Sequence, residues 1–505
     1  MEKTVVAHLE WHSYRYYPYE KKFAFREVEA LPGFLSYNTT QEGLVVRFAK
    51  KNPDTLNKLV YFSKYSFDNG QPAKTIQARL ENGSTKNNSL KRQSTRYLVH
   101  GLHEYKGKFN PQIVRCILNW FNLPKESQVI DPFCGSGTSI IESGLAGFES
   151  IGWDLNPFAV YLTNAKLLAL NTDLDILRRQ AEKLFSQQSD GNRPGCENNA
   201  RIEYLHKWFP EDILRKIEYY REMIEENTEQ NEPIFKVILS DLLRDYSLQE
   251  PSDLRIRRRK SPFPEIPIEE SFKKCFYQLA QELERTSEII HENKLKSSVF
   301  QADGRFVNEV RSSSPVALRA DFAITSPPYA TALPYIDTQR LSLIWLGLLE
   351  PNKIGKTEKT LIGSRDAAEA TLHDLEEKIG ENSSDLPDSI QLLCSDLQKR
   401  LTIHDGFRKR AVPGLLYRYF TDMKQTFQTV RSLMKCDGTY ALIVGTNRTT
   451  IGSITERIKT PELLAEIAIS SKWKEVELLN LETYKRYGLH SANAVQGETL
   501  LVLRK

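Results

Sequence analysis

Residues 128–138 read Gln-Val-Ile-Asp-Pro-Phe-Cys-Gly-Ser-Gly-Thr, a short apolar run that stops at an acid and a proline and then turns through two glycines. Val129 and Ile130 form the end of a strand, and Ile140, Ile141 and Leu145 recur beyond the turn at helical spacing, as Ile113, Ile117 and Trp120 do before it. A strand that turns sharply into a helix opens a βαβ unit. The glycines remove side chains at the turn and let a ligand approach the backbone, and the helix start offers unpaired N–H groups. A dinucleotide site would need G-x-G-x-x-G and a triphosphate cradle would need Lys before Ser/Thr; neither pattern is present.

Working outward, further strands are expected at Ile151 to Asp154, Ser298 to Ala302, Phe322 to Thr325, Tyr440 to Gly445, Val476 to Leu481 and Thr499 to Leu503. They make one mostly parallel sheet only if 171–297 is an insertion. That stretch reads as helical, with Ile213, Ile217, Tyr220 and Ile224 on one face and Phe272, Phe276, Leu279 and Leu283 on another. The predicted fold class is therefore α/β, a Rossmann-like, mostly parallel seven-stranded sheet with helices on both faces. Residues 1–97 form a small basic module, mainly β or mixed, with turns at Leu31-Pro32-Gly33, Asp68-Asn69-Gly70 and Glu81-Asn82-Gly83-Ser84. Residues 98–170 and 298–505 are the two parts of the main domain, flanking the helical insertion 171–297. A polar excursion at 351–412 is expected to be a mobile loop or helical lid.

Bulk properties limit the function. The 505 residues are 40% hydrophobic, enough for ordinary cores, and no run approaches the roughly 18 apolar residues of a membrane span. Export and membrane attachment are not expected. Six cysteines (Cys116, Cys134, Cys196, Cys275, Cys394, Cys436) lack Cys-x-x-Cys spacing, which argues against a disulfide framework or zinc ribbon and for a reducing cytoplasm. No metal site is expected. The net charge of +4 conceals a surplus of 9 cations in residues 1–126 and −5 in the rest, an asymmetry that suits a polyanionic partner.

Residues 322–329, Phe-Ala-Ile-Thr-Ser-Pro-Pro-Tyr, form the second informative stretch. Two prolines fix φ, remove donors and hold a backbone carbonyl rigidly outward, so the loop is a poor generic turn. It too would lie at the carboxyl end of a parallel strand, where open α/β sheets bind ligands.

At these two stretches the chain resembles the S-adenosylmethionine-dependent amino-group DNA methyltransferases, whose first motif reads almost as Asp131-Pro132-Phe133-Cys134-Gly135-Ser136-Gly137-Thr138. The resemblance covers roughly 98–170 and 298–505 and implies S-adenosylmethionine as cofactor. Asp131, Pro132, Phe133, Gly135, Ser136, Gly137 and Thr138 would surround its methionine part. By position, Asp154 with Asn156 in Gly152-Trp153-Asp154-Leu155-Asn156-Pro157 would take the ribose hydroxyls, and Asp303 would face the adenine. Upstream, His103-Glu104-Tyr105-Lys106-Gly107-Lys108-Phe109-Asn110-Pro111 resembles the element that closes over the methionine tail, with Lys108, Phe109 and Pro111 as contacts.

The same resemblance assigns the catalytic loop. A base amino group is a weak nucleophile because its lone pair is delocalised into the ring. In the family, the first motif side chain and the first proline carbonyl draw it out, and the aromatic residue stacks on the flipped base. Here those roles fall to Ser326, Pro327, Pro328 and Tyr329. Ser-Pro-Pro-Tyr is commoner among cytosine N4 enzymes and Asp/Asn-Pro-Pro-Tyr among adenine N6 enzymes, which favours cytosine N4 and leaves adenine N6 open. Cys134 as a covalent nucleophile is disfavoured because its flanks are those of the cofactor loop, and Ser326 as an activated serine lacks a Gly-x-Ser-x-Gly elbow.

Arg255, Arg257, Arg258, Arg259 and Lys260 are the densest basic run and candidates for phosphate contact. The insertion 171–297 that carries them, the N-terminal module and the 351–412 excursion are the candidates for target recognition. Tyr335 is equally well read as pocket lining or core. The resemblance implies double-stranded DNA as substrate, a companion restriction endonuclease, and a prokaryotic cytoplasmic, nucleoid-associated protein. The alternatives are an RNA base methyltransferase and a non-catalytic nucleic-acid-binding module.

Overall fold

The apolar run before Asp131 is a strand buried at all four positions, Gln128–Asp131. In chain order the computed structural model has an antiparallel group, β1 (Val5–Trp11), β2 (Phe34–Thr39), β3 (Gly43–Phe48), β4 (Phe62–Phe67) and β5 (Ala73–Lys74). The strands of the main sheet follow: β6 (Gln128–Asp131), β7 (Glu149–Asp154), β8 (Ser297–Gln301), β9 (Ala320–Thr325) and β10 (Met434–Gly445). A hairpin, β11 (Asn447–Ile451) and β12 (Ile454–Ile458), separates these from β13 (Glu475–Glu482) and β14 (Gly497–Arg504). The structure describes residues 4–50, 53–68, 70–81, 92–186, 199–253, 256–291, 295–330, 335–365, 369–402, 404–451, 454–482 and 497–505. Asn69, residues 82–84 of the third expected turn, Cys196 and Arg255 lie outside them.

The central sheet has the order β8-β7-β6-β9-β10-β14-β13. Neighbours from β8 through β10 are parallel, and β14 runs antiparallel to both β10 and β13. The sheet is therefore mostly parallel and seven-stranded, as expected from the pattern. The chain moves outward from β6 through β7 to β8 and then returns to the other side of β6 with β9. That reversal between β6 and β9 is a topological switch point, the crevice where such sheets bind ligands.

Residues along these strands alternate between two cores. Ile130, Ala323, Tyr440, Leu442, Leu501 and Leu503 face the helices at Val412–Leu433 and Thr460–Ser470. Val129, Phe322, Ile324, Ala441, Ile443, Leu500 and Val502 face the other way, where they share a core with the helix Pro111–Phe121 and the N-terminal module. A sheet buried on both faces needs near-continuous apolar strands, which is what the sequence supplies.

The module at 1–97 is mixed: a sheet of order β2-β3-β1-β4-β5 and a helix, Pro18–Glu29. It shares a core with the main sheet through Phe23, Ile113, Ile117 and Ile324 and is not a free appendage. The insertion is helical, with Leu174–Ser186, Ala200–His206, Glu211–Asn227, Glu232–Leu242 and Ile268–His291 packed on the helix Pro157–Asn171. The 351–412 excursion is a packed helical segment and not a loop. Glu369–Glu381 and Asp388–Lys399 bury Ile379, Ile390, Cys394 and Leu397 against the Val412–Leu433 helix. The hairpin β11–β12 had no expected counterpart, because Asn447–Ile451 is short and mostly polar. Among the described residues, no helix is long and apolar enough to cross a membrane.

A buried polar cluster fixes the helix that follows the glycine loop. Glu142, fully buried in Thr138–Leu145, accepts from Tyr97 Oη at 2.8 Å, His100 Nε2 at 2.7 Å and Arg115 Nε at 2.8 Å. Burial opposes ionisation of Glu142, but Arg115 and the His100 and Tyr97 bonds outweigh it and hold the carboxyl below its ordinary value. Burial holds His100 down to about 4, so it is a neutral donor. Removing one partner of a buried pair strands the other charge, so Arg115→Leu should cost about 3–5 kcal/mol in chemical unfolding. The ionised Glu142 contributes stability above its ordinary value of 4.5 and loses it as pH falls through the lower folded value, so the difference between wild type and variant should shrink in acid. A loss under about 1 kcal/mol at neutral pH would contradict the assignment.

Candidate active site

The two loops that leave β6 and β9 meet at the switch point. The Asp131 carboxylate is fully buried and accepts from the backbone N–H of Phe133 at 2.9 Å, from the Ser139 hydroxyl, and from Thr325 Oγ1 at 2.5 Å. Thr325 is the last residue of β9 and immediately precedes Ser326. One side chain therefore ties the glycine loop to the proline loop. Burial raises Asp131 to about 6, against the opposing pull of its Ser139, Thr325 and Phe133 bonds. Above that pH it is an acceptor only, which is what the Thr325 hydroxyl requires.

Gly135 and Gly137 have φ of +48° and +80°, conformations that favour glycine. The missing side chain of Gly137 makes room for Thr163, and that of Gly135 for the Tyr105 ring. A Cβ on Gly137 would lie 2.3 Å from Thr163 Cγ2, and one on Gly135 would touch the Tyr105 ring at 3.4 Å. The loop backbone is held by Thr163 Oγ1, which donates to the Gly135 carbonyl at 3.0 Å, and by the buried Lys166 amino group, which donates to the Ser136 carbonyl at 2.9 Å.

Asp154, at the end of β7, accepts from Gly135 N and Asn156 N at 2.9 Å each, and burial raises it to about 6. Asn156 caps the Pro157–Asn171 helix at Phe158 N and donates through Nδ2 to Gln339 Oε1 at 2.6 Å. The acid expected after the third strand is already engaged: Asp303 pairs with Arg305 Nη2 at 2.6 Å, and Arg305 also reaches Asp422 at 3.1 Å.

These groups line one cleft. Lys108, Phe109, Asp131, Pro132, Phe133, Gly135, Ser136, Thr138, Asp154, Asn156 and Asp303 all face it, together with Ser326 and Pro328. Pro111 and Gly137 do not; Pro111 opens the helix that Asn110 caps. Lys108 lines the cleft, but its ammonium donates to the carbonyls of Thr95 at 2.6 Å and His100 at 2.9 Å, and burial lowers it to about 7. Ser136 Oγ and Thr138 Oγ1 are buried without a partner among the described residues, an arrangement that suits a polar ligand. Apolar wall is supplied by Phe133, Leu361 and Ile362. A nucleoside with a polar tail, such as S-adenosylmethionine, fits this donor set.

In the proline loop, half-buried Ser326 makes no hydrogen bond among the described residues, and Pro327 is buried away from the cleft lining. Tyr329 donates from Oη to Glu498 Oε1 of β14 at 2.9 Å. Its ring lies over Gly445, where a Cβ would come within 2.8 Å of Cε1. Burial, then Glu498, pushes its phenol above the ordinary value. Cys134 is buried and its thiol raised well above the ordinary range, first by burial and then by Asp154 and Asp131, which suits packing and not nucleophilic attack.

Tyr335, open between pocket lining and core in the sequence, lines the cleft, while Tyr105, Gly304, Leu361, Ile362 and the partner Glu498 were missing from the expected site. Tyr105 sits inside the quoted 103–111 element, so an aromatic flanking Gly107 was the available signal. Glu498 lies 169 residues from Tyr329, and no local pattern couples them. The basic run is largely committed to the fold. Arg259 donates to the carbonyls of Asp245, Ser247 and Pro262 at 2.6–2.9 Å. Arg258 binds the Lys207 carbonyl and stacks on Trp208, and Arg257 pairs with Asp253. Lys260 is exposed.

Comparison with known proteins agrees with this geometry. Residues 102–202 match the family described as UPF0020: RMKL-like, methyltransferase domain. The chain is 23% identical over 420 residues to Type II methyltransferase M.MvaI of Kocuria varians, covering 78% of this chain and 85% of that one. It is 36% identical over 127 residues to Type II methyltransferase M.MjaII of Methanocaldococcus jannaschii, covering 24% and 23%. A tRNA (guanine(10)-N2)-dimethyltransferase of Methanothermobacter thermautotrophicus is 33% identical over 81 residues, 16% of this chain and 24% of that one. Over most of its length, the chain is thus similar to a Type II methyltransferase.

Proposed function

We propose that the chain is an S-adenosylmethionine-dependent methyltransferase of double-stranded DNA that modifies the exocyclic amino group of an extruded base, cytosine N4 in first preference and adenine N6 in second. The observation that supports it most is the single cleft in which Ser326 and Pro328 stand beside the 131–138 loop and Asp154, with Asp131 bonded to Thr325. Similarity to Type II methyltransferases supports pairing with a restriction endonuclease.

Bound S-adenosylmethionine would supply an activated methyl group. Asp154 has carboxylate lone pairs left after its bonds to Gly135 and Asn156, and these would accept the ribose hydroxyls. Ser136 and Thr138 would satisfy the polar tail. Ser326 Oγ and the Pro327 carbonyl would accept from the base amino group, drawing its lone pair out of conjugation toward the methyl carbon. Tyr329, its hydroxyl held by Glu498, would stack on the base and offset part of the extrusion cost. Positioning and electrostatics carry the rate in this scheme.

An RNA base methyltransferase is the second reading, favoured by the tRNA-modifying relative. The family match ends at residue 202, in the half that would hold the cofactor, so it bears less on the substrate.

Methyl-labelled cofactor offered with plasmid DNA and, separately, with total tRNA distinguishes the readings after digestion to nucleosides. Label in N4-methylcytosine is the expected result; label in RNA nucleosides alone would overturn the proposal. Stacking contributes about 1–3 kcal/mol per base, so Tyr329→Ala should lower kcat/KM roughly tenfold or more while cofactor affinity stays within about twofold. Cofactor affinity should weaken as pH falls through about 6, where Asp154 gains a proton and loses acceptor capacity. Asp154→Asn should flatten that dependence, and calorimetry showing the same pH profile in both proteins would contradict the ribose assignment.

A further inference from the structure

A second cleft shares a wall with the first. Along the 103–107 segment, Tyr105 and Gly107 line the first cleft, while His103, Glu104 and Lys106 line the second. Asn156 faces the first and donates to Gln339, which faces the second. The outer wall is the helical insertion, through Asp241, Arg244, Asp245 and Gln249.

This cleft holds unfilled hydrogen-bonding capacity. Gln249 is 3% exposed and His103 8%, and Gln249 Nε2, Arg244 Nε and His103 Nε2 are buried without a partner among the described residues. His103 Nδ1 lies 2.8 Å from the Glu104 carbonyl and 3.5 Å from Asp241 Oδ1, so the bonding capacity of the ring that remains is at Nε2. Leaving such groups unpaired is unfavourable, so the cleft is built to be filled by something polar. Its charges cancel, with Arg96, Lys106 and Arg244 against Glu104, Asp241 and Asp245. Three carboxylates would repel a phosphate. A neutral ring carrying both donors and acceptors on one edge matches the lining.

We propose that the second cleft is a base-recognition pocket that takes one nucleobase of the target next to the modified one, with Gln249 donating to it and Asp241 or Asp245 accepting from an exocyclic amine. The inference rests on the DNA methyltransferase reading and adds a recognition role for the insertion. A carboxylate or amide reading a base edge is an established mode of discrimination.

The test uses the full chain and a plasmid library of randomised sequence, mapping methylated positions for wild type, Gln249→Ala and Asp245→Asn, with cofactor affinity measured by calorimetry. The expected result is that discrimination at one position flanking the modified base falls at least about tenfold while cofactor affinity is unchanged. Asp245 is exposed, so its variant decides the matter even if Gln249→Ala fails to fold. Unaltered discrimination at every position in the folded variants would overturn the pocket. A wild-type chain that methylates no DNA would overturn the parent reading, and this one with it.

Discussion

The hydrogen bond from Thr325 to Asp131 is the constraint on which the rest of the site depends. β6 and β9 are neighbours in the sheet yet 194 residues separate the two partners, and each strand ends in a loop of unusual chemistry. Parallel pairing alone brings the strand ends together within a few ångströms. The buried carboxylate then fixes the proline loop relative to the glycine loop, because it accepts from both at once. Methyl transfer between two bound groups is sensitive to placement on that scale.

Around this bond the chain spends much of its buried polarity on holding loops, not on contacting ligands. Lys166 and Thr163 fix the Ser136 and Gly135 carbonyls, Lys108 fixes Thr95 and His100, and Glu142 gathers Arg115, His100 and Tyr97 beneath the helix that follows. Such groups are costly to bury unless they are paired, and here most are. Ser136 Oγ and Thr138 Oγ1 in the first cleft, and Gln249 Nε2 and His103 Nε2 in the second, have no partner among the described residues, and these are the positions where a ligand is expected.

The strands of the central sheet were legible in the sequence because a sheet covered on both faces demands short apolar runs, and each ended in a turn signal. The two motifs at 131–138 and 326–329 were legible because proline and glycine restrict the backbone in ways few other residues can. Less legible was what distant segments do for them. Gly137 reads as a ligand-approach glycine until Thr163 is seen filling its side. Asp303 reads as a free acid until Arg305 is seen paired with it. Arg259 reads as a phosphate contact, yet its guanidinium bonds three backbone carbonyls that composition cannot reveal. The polarity of 351–412 left a mobile loop and a helical lid both open, because its buried residues are spaced over short helices and only tertiary packing makes them a core.

Thr325→Val removes the hydroxyl and nearly preserves the shape, so it isolates the link between the two loops. With cofactor affinity measured by calorimetry and turnover measured on plasmid DNA, the account predicts affinity within about twofold of wild type and a fall in kcat of roughly ten- to a hundredfold. Turnover equal to wild type would contradict the claim that this bond sets the two loops in register.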